Sequence, residues 1–84
     1  MRHTALLKEL FSELKEVDER PDGFSFAFPG TPDRIMKITE WIVLERLCCN
    51  FLRFRFDLKP RAGNVWLTVS GPRGTKELLR GYLK

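Results

Sequence analysis

Apolar residues recur at spacings of three and four from Leu6 through Leu7, Leu10 and Phe11 to Leu14. That period predicts a first helix over 4–14, with Thr4 capping its start. Pro21-Asp22-Gly23 is a strong turn signal, because Pro presets its own backbone and Gly accepts conformations other residues avoid. Phe24-Ser25-Phe26-Ala27-Phe28 then alternates large with small, the mark of a half-buried strand, and the stretch around Val17 is its expected hairpin partner. Thr31-Pro32-Asp33 opens a second helix. Thr31 suits the N-cap, Pro32 the first helical position and Asp33 the positive end of the dipole. This helix is expected to run to Cys48 or Cys49, with Ile35, Ile38, Ile42 and Leu44 facing the core, Trp41 on their flank and Asn50 as terminator.

From Phe51 to Leu58 the pattern returns to period two. Leu52, Phe54, Phe56 and Leu58 point one way, and Phe51, Arg53, Arg55 and Asp57 the other. After the turn Pro60-Arg61-Ala62-Gly63-Asn64, Val65, Leu67 and Val69 alternate with Trp66, Thr68 and Ser70. These two runs predict a β-hairpin. Ser70-Gly71-Pro72-Arg73-Gly74 breaks it, and residues 75–83 form a last helix with Leu78, Leu79 and Leu83 as its apolar residues. The order α-ββ-α-ββ-α predicts an α+β fold: a two-layer sandwich of a four-stranded, mostly antiparallel sheet with helices on one face.

Composition narrows the class. The chain has 84 residues, 43% of them hydrophobic and 31% charged. That suits one packed domain, 1–84, and argues against disorder. A core this small is thin, which leaves room for a homodimer. The net charge of +4 is mild, with acidic residues scattered among the basic ones, so contact with nucleic acid is permitted but not favoured. No apolar run approaches the ~18 residues of a membrane span, and no signal-peptide core follows the N-terminus. A cytoplasmic protein is expected, since two adjacent cysteines would close no useful disulfide loop.

The candidate chemistry lies in Glu45-Arg46-Leu47-Cys48-Cys49-Asn50-Phe51. On a helix, Glu45 is three residues before Cys48 and four before Cys49, spacings that make neighbours. Two thiolates begin a site for a soft metal ion such as Zn(II), Cu(I) or Hg(II), with Glu45 as a third ligand or proton acceptor. The same thiols suit redox sensing if Arg46, Arg53 and Arg55 lower their pKa. A thiol nucleophile with Glu45 as base is the poorest reading, because His3 is the only histidine and lies far off in sequence. Two features oppose a reactive thiol. The negative end of a helix dipole disfavours a thiolate, and Cys is among the most often buried residue types, so simple packing accounts for a Cys pair as well.

Glu45-Arg46-Leu47-Cys48-Cys49-Asn50-Phe51-Leu52-Arg53-Phe54, with Val65-Trp66-Leu67 and Gly71-Pro72-Arg73-Gly74-Thr75-Lys76-Glu77, resembles a group of small uncharacterised bacterial proteins. Those carry a Glu-Arg-x-Cys-Cys-Pro-Phe stretch, a Phe-rich strand and a Gly-Pro-x-Gly turn, and some are linked to regulators of the mercury-responsive type. The resemblance covers residues 40–84. Asn50 stands where proline is usual, which leaves the thiols intact. By association alone, it supports a thiol or soft-metal role, and it brings no activity that could be carried over.

Two further signals carry less. Arg53, Arg55, Lys59 and Arg61, with Phe51 and Trp66, would form a basic aromatic sheet face able to stack bases and hold phosphates. Solvated alternate strand residues account for the same pattern. Gly71-Pro72-Arg73-Gly74 lacks the spacing of a P-loop and reads as a tight turn into the last helix. The expected function is therefore a small binding or sensing domain using Cys48 and Cys49, supported by Glu45. The alternatives are an interaction module using Arg53, Arg55 and Trp66, or a purely structural Cys pair.

Overall fold

A computed structural model describes residues 2–59 and 63–83, with side chains described from residue 5 onward. Its elements follow the expected order: α1 (Arg2–Phe11), β1 (Glu16–Arg20), β2 (Gly23–Pro29), α2 (Pro32–Cys48), β3 (Arg53–Asp57), β4 (Asn64–Ser70) and α3 (Thr75–Tyr82). The strands form one open antiparallel sheet in the order β1-β2-β4-β3. The fold is α+β, as the alternating periods imply.

All three helices share one apolar core with one face of that sheet. Leu6 and Leu10 of α1, Ile38 and Trp41 of α2 and Leu79 of α3 pack with Phe24, Phe26, Phe28, Val65, Leu67 and Val69. Phe11 sits among the aromatic rings, edge-on to Phe26 and Phe28 with centroids 5.1 and 5.6 Å away. Such pairs add to what area burial alone supplies.

Several boundaries differ from expectation. The first helix begins at Arg2, so Thr4 lies inside it rather than capping it. It ends at Phe11 rather than Leu14, because Glu13 and Leu14 donate to carbonyls three residues back, and the Ser12 hydroxyl takes the Glu9 carbonyl. Such tightening closes a helix end. The third strand is shorter than predicted: Phe51 and Leu52 belong to the turn after α2, tied by the Leu52 N–H to the Cys49 carbonyl. The predicted turn at 60–64 lies partly outside the described residues, as does Arg61.

The largest correction concerns α2. Thr31 caps it as expected, its hydroxyl accepting from the Arg34 N–H at 3.2 Å, with Pro32 at the first position. Its buried stripe, however, is Arg34, Ile38, Trp41 and Glu45. Trp41 is fully buried at the centre rather than on the flank, and Ile35, Ile42 and Leu44 are half-buried at the sides. The spacing of four, three and four is a proper helical face, but both of its ends are charged. Arg34 meets that by pairing with Glu13, just beyond α1.

The hairpin of β1 and β2 turns through Pro21 and Asp22, and Gly23 then lies opposite Ser70 of β4. A side chain there would put Cβ 1.8 Å from the Val69 carbonyl oxygen. Gly23→Ala is therefore expected to cost about 3 kcal/mol, at the upper end of overpacking. Urea unfolding checks this. A cost below about 0.5 kcal/mol, the range of ordinary surface changes, would mean the strands have room that this packing denies them.

Candidate functional site

The end of α2 decides where the thiols go. Cys48 is its last residue and is exposed; Cys49 is the C-cap and half-buried against the core. The Cys49 backbone N–H donates to the Glu45 carbonyl at 2.6 Å. Successive residues at a helix end point in different directions, so one thiol meets solvent and the other the interior. No disulfide joins them.

Glu45 is the surprise. Three- and four-residue spacing placed it beside the thiols, but it lies on the inward side of α2 with no exposed surface. Its Oε1 accepts the Tyr82 hydroxyl at 3.0 Å. The Tyr82 ring stands edge-on to Trp41 and Phe11, with centroids 6.1 and 6.3 Å away. The Cys49 thiol lies close enough to Cys48 and Glu45 for both to hold its proton more tightly. The site is thus a chain from solvent to core: Cys48, Cys49, Glu45, Tyr82. The indole N–H of Trp41, also on α2's buried stripe, has no hydrogen-bond partner among the described residues.

The electrostatics oppose a spontaneously ionised thiol. Burial pushes Cys49 up to about 11, helped by the neighbouring Cys48 and the charge of Glu45. Burial, then the Glu45 charge, also raises Tyr82 well above the ordinary phenol range. Arg53 and Arg55, expected to lower a thiol pKa, lie on the opposite side of the sheet from the helices. Phe54 and Phe56 alternate with them and pack on the core, so the arginines face outward. Arg53 and Arg55 therefore face away from Cys49 across the sheet. Among the described residues, no group of three or more His, Cys, Asp or Glu is placed to hold a metal ion. The side chain of His3 lies outside the described ones.

The sheet face away from the helices brings Arg53, Arg55 and Trp66 together, as alternation required. It is not a basic face. The register sets Glu16 and Asp18 on it as well as Arg20. Arg20 pairs with Asp18 at 3.3 Å, and Arg55 with Asp57 at 3.6 Å. The floor is polar, with Ser25 and Thr68 hydroxyls 2.7 Å apart and Arg20 Nε donating to Ser25 at 3.1 Å. Two shallow hollows of about 390 and 330 Å³ share Arg20, Asp57 and Thr68. The Gly71–Gly74 turn leads into α3 as expected, with Gly74 in the left-handed conformation at φ 98°.

No family model, curated protein or solved structure matches this chain. No helix among the described residues is long and apolar enough to cross a membrane.

Tyr82 escaped the sequence reading. It was recoverable as the next member of α3's apolar stripe after Leu78 and Leu79, but nothing local pairs it with Glu45.

Because Cys49 holds its proton more tightly when folded, its contribution is fully present below about pH 9. It is lost as pH rises through about 11. Unfolding free energies measured from about pH 8 to about pH 11 should fall less steeply for Cys49→Ala than for the parent protein. Tyr82 acts in the same direction in both proteins, since burial and Glu45, the main causes of its shift, are present in each. Parallel curves would mean that Cys49 is not desolvated in the folded state.

Proposed function

We propose that this protein is a small thiol-based binding domain that takes up a two-coordinate thiophilic metal ion, of the Hg(II) or Cu(I) type, on Cys48 and Cys49. The carrying observation is the pair itself: two adjacent free thiols at the end of α2, one exposed and one half-buried. An incoming soft cation meets Cys48 first and then Cys49. Two S–H bonds break, two S–metal bonds form, and both protons go to solvent. The helix dipole and Glu45, which disfavour a bare thiolate, do not disfavour a thiolate neutralised by the ion. Zinc has less behind it, since it calls for four ligands. Glu45 acts beside the pair, holding Cys49 in place.

The resemblance to small bacterial proteins linked to mercury-type regulators supports the same reading. A reducing cytoplasm, in a bacterium, would keep both thiols free. A homodimer would cover Met36, Val43 and Leu47, which α2 exposes on its outer side. The nucleic-acid reading of Arg53, Arg55 and Trp66 has less support, because neighbouring carboxylates balance those arginines.

Titrating the reduced protein with Hg(II) should produce the ultraviolet thiolate-to-mercury absorption, saturating at one ion per chain. Cys48→Ser and Cys49→Ser should each abolish that saturation point. Unchanged binding in both variants would overturn the proposal.

A further inference from the structure

We infer that β3 is the interface of a homodimer, pairing antiparallel with β3 of a second copy so that the two sheets run on as one. The inference concerns the edge of the sheet and does not rest on the thiol pair.

The two edges of the sheet are unlike. β1 carries Glu16, Asp18, Glu19 and Arg20 and is exposed along its whole length. Glu19 lies opposite Phe24, on the helix side, where Lys76 and Arg80 pair with it. A charge pointing inward from an edge strand keeps other strands away. β3 has no such guard. Among the described residues it pairs with β4 on one side and with no strand on the other. Its helix side carries Phe54 and Phe56, each only half-buried. Leu58, just past its end, is 50% exposed. An unpaired strand with an apolar row is a template for a further strand.

The residue order of β3 says which strand fits. A two-fold axis makes every contact occur twice, residue i on j and j on i. Centred on Arg55, antiparallel pairing sets Phe54 opposite the partner's Phe56, and Leu52 opposite the partner's Leu58. Both pairs lie on the helix side. On the open side it sets Arg53 opposite the partner's Asp57. Aromatic pairs and opposite charges directly across from each other stabilise a ladder. Arg55 meets its own copy on the axis. In each chain Asp57 lies 3.6 Å from it and balances its charge.

Other registers fail. A slip of one residue would put helix-side residues opposite open-side ones. A slip of two sets Arg53 against the partner's Arg55 in one direction and the partner's Lys59 in the other. The charges therefore select one register. Trp41 of α2 stands edge-on to Phe54 with centroids 6.0 Å apart, so α2 packs on β3. The joined sheet then carries both α2 helices on the same side. The outer stripe of α2 is apolar too, but it has no comparable register to say what lies on it.

The test is sedimentation equilibrium of the reduced protein over a dilution series reaching its solubility limit. The parent should show a monomer–dimer equilibrium. Arg53→Asp and Asp57→Arg each place like charges opposite one another twice per dimer. Each should raise the dimer dissociation constant about tenfold. The double variant exchanges the two charges and restores the pairing, so it should return to within about threefold of the parent. That rescue also shows that the single changes do not act by unfolding the chain. A parent that stays monomeric throughout would overturn the inference, as would a double variant no tighter than the singles. A dimer that ignores both single changes but is lost in Val43→Glu would put the contact on α2 and overturn it as well. Mercury titration of the same samples is read separately, and neither result decides the other.

Discussion

A carboxylate with no exposed surface is costly to bury, and Glu45 occupies such a position at the inner end of α2. An isolated buried charge is not tolerated unless hydrogen bonds replace the water it has lost. The Tyr82 hydroxyl at 3.0 Å supplies one such bond. Much of the rest follows from satisfying this one group. It fixes where the last turn of α3 docks and sets the Tyr82 ring against Trp41 and Phe11. It also holds one thiol of the pair protonated and half-buried while its neighbour faces solvent.

The second helix is organised around two such polar anchors. Its buried stripe has Ile38 and Trp41 at the middle, Arg34 at one end and Glu45 at the other. Each end reaches a different part of the chain: Arg34 to Glu13 beyond α1, and Glu45 to Tyr82 of α3. Apolar contacts give the domain its bulk stability, but they are not directional. The two polar anchors are, and they set how α1 and α3 sit against α2.

Local pattern made most of the fold legible. The period of three and four revealed three helices, alternation revealed the Phe24–Phe28 and Val65–Val69 strands, and Thr31-Pro32-Asp33 marked the start of α2. What local pattern cannot reveal is which neighbour a side chain meets across the chain. Glu45 read as a surface carboxylate because charged residues usually are, and only the packing of α3, whose Tyr82 is 37 residues away, turns it inward. Trp41 looks like a flank residue in sequence because three isoleucines and a leucine outline an apolar face without it. The outward direction of Arg53 and Arg55 was readable from alternation. That they share their face with Asp18 and Glu16 was not, because the strand order β1-β2-β4-β3 brings those residues together.

The central claim is that Glu45 and Tyr82 act as one unit inside the domain. A double-mutant cycle tests it most directly, comparing the unfolding free energies of Glu45→Gln, Tyr82→Phe and the double variant at neutral pH. The account predicts a coupling energy of at least ~1 kcal/mol, as expected for a hydrogen bond to a buried charged group. Additive effects, with coupling within ~0.3 kcal/mol of zero, would contradict it and leave the burial of Glu45 without the partner on which this account relies.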